Sequence, residues 1–301
     1  MDVSGPDECR LRDLEDGTPG GVHPGALQGQ PVRDVASLPT LTLITPTADQ
    51  PTGIAFLETY IRRQTLWGAA PIQWIVVDDG IVPADLTQGQ THLRRVREDR
   101  CHPTESFCRN LLAALPLVHG EYVYFIEHDD YYQPQHLEQL AGQLAQAEIA
   151  GDASQRYYNV ARRIWRVYQN KGASLCQTAI RRSVLPQVAS LLYECLAKRQ
   201  YGLDRALWES VPAAQWSLEP SLTVVGIKGL PGRVGLGIGH RPQQGWTYDP
   251  DGSRLRTWIG EDAASYLPFQ RRIPLLPTRG MTVWDLIRER KAEAALYGRR
   301  G

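Results

Sequence analysis

The chain has 301 residues, 42% of them apolar, and its 33 Lys and Arg balance 33 Asp and Glu to a formal net charge of zero. That length holds one large α/β domain or two small ones and can bury a sizeable core, whereas the neutral balance excludes a surface that is basic throughout and gathers nucleic acid everywhere. The five cysteines (Cys9, Cys101, Cys108, Cys176, Cys195) are widely spaced with no C-x-x-C pair, which argues against a structural zinc site or a disulfide framework and for a reducing, cytoplasmic compartment; no N-terminal apolar leader is evident, and no run approaches the ~20 apolar residues of a membrane span.

In chain order, residues 1–38 are rich in Gly, Pro and Asp and read as a loosely draped arm. The run TLTLITPT predicts a first strand through Leu41, Leu43 and Ile44 that ends at Thr45. TGIAFLETYIRRQTLWG follows with Ile54, Leu57 and Ile61 on one helical face. IQWIVVDDG is a second strand ending in Asp78 and Asp79. ESFCRNLLAALPLVHG is a helix with Phe107, Leu111, Leu112 and Leu115 on its apolar side. EYVYFIEHDD is a third strand, and QPQHLEQLAGQLAQAEIAG a helix with Pro134 near its start. From Tyr157 the pattern predicts two strands around a turn at Asn170, Lys171 and Gly172, then a helical LPQVASLLYECLAKRQYGLDRALWESV. A strand opening into a glycine-rich loop comes next, with an amphipathic helix near the C-terminus. Strands alternating with helices imply a mixed, mostly parallel sheet flanked by helices.

The third strand runs from five mostly apolar residues, Tyr122 to Ile126, straight into Glu127, Asp129 and Asp130. Carboxylates so close repel one another, and burial adds to the cost, so a compensating partner is expected: a metal ion, an arginine or water. Open α/β sheets bind ligands at the carboxyl ends of their strands, where Asp78, Asp79, Glu127, Asp129 and Asp130 all fall.

Four pieces in order, the strand ending at Thr45, VVDDG, the helix carrying CRN, and HGEYVYFIEHDD, resemble the nucleotide-sugar-dependent glycosyltransferases of the GT-A fold, especially the family 2-like enzymes, over roughly residues 40–240. The resemblance implies a GT-A domain over 39–245, divided into a nucleotide-sugar half (39–152) and an acceptor half (153–245), with a C-terminal helical extension over 246–301. It also implies an enzyme that moves a sugar from a nucleotide-sugar donor, a UDP-sugar in the first instance, to an acceptor hydroxyl with inversion. A divalent cation bridging diphosphate oxygens stabilises the leaving group's charge, and Mn²⁺ or Mg²⁺ takes oxygen ligands. Glu127, His128 and Asp129 stand in the place of the family's D-x-D motif, with Asp129 the direct ligand; Glu in the first position leaves open whether Glu127 meets the metal, the ribose or neither. Asp78 is favoured for the base and Asp79 for the ribose or a structural contact. Thr45 flanks the base, with Thr47 a lesser candidate, and Arg109 and Asn110 match the family's RN.

Direct attack by a hydroxyl needs a general base. The resemblance places it at Asp204, where Leu203 stands in the family's Glu position, with Glu194 and Glu209 in reserve. The loop holds six glycines between Gly226 and Gly239, a composition that permits close backbone approach to a ligand or closure over it. Lys228 and Arg233 are its candidates to grip the diphosphate, and His240 to ligate the metal. Arg156 to Lys171 interleaves Arg and Lys with Tyr and Trp and has no acid. It reads as a hairpin with one solvated basic face, or as the seat of a glycan or nucleic-acid acceptor. A hydroxymethylated base in phage DNA is one such acceptor, and would have to be flipped out. The alternative to an enzyme is a non-catalytic nucleotide-sugar-binding scaffold, motivated by Glu127 and Leu203.

Overall fold

The computed structural model describes residues 38–87, 91–94, 102–168, 171–233, 235, 239–240 and 245–270. Residues 1–37 of the expected arm (1–38) and the C-terminal amphipathic helix lie outside them.

The first half alternates as its sequence pattern predicts. Strand β1 (Leu41–Thr47) leads to helix α1 (Pro51–Arg62), β2 (Ile72–Asp78), β3 (Thr91–Arg94), α2 (Pro103–Ala114), β4 (Tyr122–Phe125), β5 (Tyr131–Tyr132), α3 (His136–Leu144) and β6 (Ile149–Asp152). The second half contributes β7 (Gln155–Asn159), β8 (Ile164–Tyr168), β9 (Thr178–Arg181), α4 (Leu185–Lys198), α5 (Leu203–Ser210), β10 (Trp216–Glu219), β11 (Val224–Lys228), β12 (Thr247–Tyr248) and α6 (Ser253–Ile259).

Seven strands form the main sheet in the order β10-β6-β9-β4-β1-β2-β3. Its pairings β1–β2, β1–β4, β2–β3 and β6–β10 are parallel, and β9 runs antiparallel to both β4 and β6. A smaller sheet, β12-β8-β7-β11-β5, stands beside it.

Side-chain alternation along the strands builds two cores. Leu41 and Leu43 of β1, with Trp74, Val76, Tyr122 and Tyr124, pack against Ile54, Leu57 and Ile61 of α1 and Leu137, Leu140 and Leu144 of α3. Ile44, Ile75, Val77, Val123 and Phe125 point the other way, onto Cys108 and Leu111 of α2, Val188 and Leu192 of α4, and Leu207 and Trp208 of α5.

Four expectations change. The first strand runs on through Pro46 to Thr47, which pairs with Asp78. On α2 the buried apolar residues are Cys108, Leu111 and Ala114, with Phe107, Leu112 and Leu115 only partly covered; the helix is fixed at its start by a capping box between His102 and Glu105. The hairpin turn between β7 and β8 falls at residues 160–163, where Arg163 has φ +53°, whereas Asn170 of the expected turn lies outside the described residues. The long helical run breaks at Arg199 (φ +50°), so α4 and α5 are separate.

Candidate active site

The carboxyl ends of β1, β2 and β4 open into a cleft lined by Thr47, Ala48, Asp79, Ser106, Asn110, Glu127, His128, Asp129, Arg233 and His240, with Pro103, Phe107 and Tyr201 as an apolar wall. Phe107 and Tyr201 meet edge to face, their centroids 5.6 Å apart. The rim is tied by Asp49, whose Oδ1 accepts from the Ile81 N–H at 2.6 Å and whose carbonyl accepts from the Arg233 N–H at 3.0 Å. Gly232 allows that approach: its φ is +121°, and a Cβ there would meet the Asp49 carbonyl oxygen at 2.5 Å.

At the end of β2 the two aspartates part company. Asp78 is buried, and its Oδ1 and Oδ2 accept from the backbone N–H groups of Gly80 (2.8 Å) and Ala84 (2.7 Å). It holds its own loop, and Asp79 is the aspartate that faces the cleft. Asp79 Oδ2 accepts from the Ser106 hydroxyl, Oδ1 is buried with no hydrogen-bond partner, and Arg233 Nη1 lies 3.7 Å from Oδ1. Thr45 also lies back from the cleft. It is wholly buried, its hydroxyl accepts from Trp74 Nε1 at 3.0 Å, and Thr47 two residues on reaches the cleft. Of the RN pair, Asn110 lines the cleft and Arg109 does not.

The acidic end of β4 has a partner that sequence reading placed elsewhere. Lys228, the last residue of β11, is 2% exposed, and its ammonium donates to Asp129 Oδ2 at 3.0 Å and Asp130 Oδ1 at 2.8 Å, with Glu127 Oε2 at 3.8 Å. Lys228, expected at the diphosphate, lies beneath the cleft, on the carboxylates. His240 Nε2 lies 3.1 Å from the same Asp129 oxygen, so the two residues expected to share a metal do converge. Burial alone would raise Asp129's pKa, but Lys228 and His240 outweigh it and hold the carboxyl well below the usual range. Glu127 goes the other way, pushed up to about 8 by burial and by Asp130's charge, with Lys228 only partly offsetting. Asp130 is also raised, chiefly by burial.

Three carboxylates against one ammonium leave the cluster short of positive charge. Glu127's raised pKa is the sign of it. A divalent cation on the cleft side thus fits, with the ionised Asp129 oxygen and the His240 imidazole as ligands of the kind Mn²⁺ accepts. A second set, Glu127, Asp130 and Cys176, brings ligand atoms within 4.8 Å of one another, but burial pushes the Cys176 thiol up so that it stays protonated.

Asp204 lies in the first turn of α5, three residues beyond Tyr201 of the cleft wall. Burial raises its pKa, and its charge acts on Glu127. Glu194 and Glu209 instead make exposed i,i+4 ion pairs with Lys198 and Arg205. Sequence reading missed Ser106, Phe107, Tyr201 and Asp130's pairing. Only the adjacency of Asp130 to the motif signalled any of them.

Residues 42–203 match the family model of glycosyl transferase family 2. The chain belongs to that family, and its fold is the GT-A fold. Two solved structures of TarS from S. aureus are similar to it. The crystal structure of TarS is 13% identical at a TM-score of 0.40, covering 62% of this chain and 36% of that one. TarS 1-349 in complex with UDP is 12% identical at a TM-score of 0.38, covering 62% and 60%. This chain thus spans less than two thirds of either. No curated protein matches. No described helix is long and apolar enough to cross a membrane.

Proposed function

We propose that this chain transfers a sugar from a nucleotide-sugar donor, a UDP-sugar in the first instance, to an acceptor hydroxyl with inversion. The observation that carries this reading is the convergence of Thr47, Asp79, Asn110, Asp129, Arg233 and His240 on one cleft at the ends of β1, β2 and β4. Asp79 and Thr47 bind the nucleoside, since an aspartate there can accept from a base N–H or a ribose hydroxyl. Arg233 faces the diphosphate. Asp129 and His240 hold a divalent ion, Mn²⁺ or Mg²⁺, which when bound stabilises the charge on the departing diphosphate. Asp204 takes the proton from the acceptor hydroxyl; its raised pKa makes it a stronger base than an ordinary aspartate. Phe107 and Tyr201 give the sugar an apolar wall and keep water from the reacting bond.

A glycan acceptor is favoured over nucleic acid. The arginines of the β7–β8 hairpin, which would have met phosphates, are engaged within the fold: Arg156 donates to the Leu222 and Val224 carbonyls, Arg163 to the Pro250 carbonyl and the Tyr248 hydroxyl, and Arg166 lies over Tyr168. The test is nucleoside diphosphate release from a panel of sugar nucleotides with Mn²⁺, with and without glycan acceptors. Acceptor-stimulated release that Asp129→Asn abolishes is expected; donor binding with no release under any acceptor would support the scaffold reading instead.

A further inference from the structure

The position of Lys228 carries a consequence for how the donor binds. Its backbone is fixed inside the smaller sheet, where β11 lies between β5 and β7 and the Lys228 carbonyl accepts from the Val160 N–H at 2.8 Å. Its stem is packed under Gly239 and Trp246; a Cβ on Gly239 would lie 3.0 Å from Lys228 Cγ and 2.9 Å from the Trp246 ring. The ammonium therefore cannot swing away from Asp129 and Asp130 without opening the fold. It is also the one side-chain cation among the described residues within 4 Å of all three carboxylates, at 2.8, 3.0 and 3.8 Å.

Without that ammonium, a diphosphate would be repelled by whichever of the Glu127, Asp129 and Asp130 carboxylates are ionised, and at such short range in a partly dry site one unit charge changes affinity by about tenfold or more. Resting on the donor reading above, we infer that Lys228 is the resident counter-cation of the donor site, so that a nucleoside diphosphate binds there without a divalent ion. The ion's contribution is then confined to the charge that develops as the sugar leaves. Lys228 is a positioning residue in this account: it touches neither sugar nor phosphate and acts through Asp129 and Asp130.

The experiment is calorimetric titration of UDP, with GDP and dTDP in parallel, onto the full chain in EDTA and in Mn²⁺, for wild type, Lys228→Met and Asp130→Asn, with melting curves for each. Wild type is expected to bind its nucleotide in EDTA within about threefold of its affinity in Mn²⁺. Lys228→Met should lose about tenfold or more in EDTA and recover most of it in Mn²⁺, which should also raise the melting temperature of this variant more than that of wild type. A merely structural lysine would give no such rescue. Asp130→Asn, which removes an anion and keeps the lysine, should bind as well as wild type in EDTA or better. Wild-type binding that appears only with Mn²⁺ overturns the inference and leaves the donor reading standing, as does a folded Lys228→Met that binds normally in EDTA. If Lys228→Met does not fold, weakened binding by Asp130→Asn in EDTA overturns it and undiminished binding supports it. No nucleotide bound in either condition overturns both.

Discussion

The strand-end cleft and the β7–β8 hairpin both set charged side chains among aromatic ones, yet they dispose of the charge in different ways. In the hairpin, guanidinium groups lie on carbonyl oxygens and ring faces of the same molecule: Arg156 also lies over Trp258, at 5.5 Å, and Arg166 over Tyr168, at 4.5 Å. In the cleft, charge is left over. The carboxylates of Glu127, Asp129 and Asp130 crowd around one ammonium, and Glu127 is held toward its protonated form. Crowding like-charged carboxylates in a buried site is costly, and a fold that bears that cost is prepared for a ligand there. The comparison teaches that a charged–aromatic pattern locates function only when the charge is not already answered from within.

Five substitutions press on that difference. The largest effect on sugar transfer is expected from Asp129→Asn, a loss of about 10³-fold, because it removes the carboxylate shared by Lys228 and His240. The protein should still fold, since Asp130 keeps Lys228 paired and no cavity opens; steady-state rates across a Mn²⁺ series and a melting curve check both halves. Next, Asp204→Asn should cut transfer by about 10²–10³-fold with nucleotide affinity near wild type. Its raised pKa gives a second signature: a base must be ionised to work, so the wild-type rate should fall with pH through a value above the ordinary aspartate range, and that limb should vanish in the variant.

Smaller is Asp79→Asn, for which KM for the donor should rise about tenfold with kcat nearly unchanged, the mark of a contact made equally in ground and transition states. Asp78→Asn sharpens it, because this carboxylate holds the Gly80 and Ala84 N–H groups and its loss should appear first as lowered stability. Least of all for transfer is Arg156→Met. It removes the bonds to the Leu222 and Val224 carbonyls and the contact with Trp258, and should cost about 2 kcal/mol of stability by denaturant unfolding while leaving turnover per folded molecule intact. A specific loss of acceptor use there would break the comparison, since it would mean the hairpin meets the acceptor after all.

How far the sequence reached follows the same physics. The alternating strands and the α1 face (Ile54, Leu57, Ile61) were legible because period and chemistry agree locally. The convergence of Asp129 with His240 was legible only through the resemblance. The misplacements at Thr45 and Asp78 are each a matter of one or two residues at a strand end: β1 continues two residues past Thr45, so Thr47 and not Thr45 stands at the rim. Successive side chains also face opposite ways, which sends Asp78 into its loop and Asp79 into the cleft. The pairing of Lys228 with Asp130 joins residues 98 apart in the chain, and no local pattern encodes a contact of that span. The hairpin turn at residues 160–163 was hidden because a non-glycine residue, Arg163, takes the positive φ where turn chemistry favours Gly or Asn.

The most direct test of the account is a crystal structure of the chain with UDP and Mn²⁺. It predicts the nucleoside against Thr47 and Asp79, the diphosphate facing Arg233, and the ion on Asp129 and His240, with Lys228 still on Asp130. A nucleotide bound elsewhere, or a diphosphate turned away from Asp129, would contradict it.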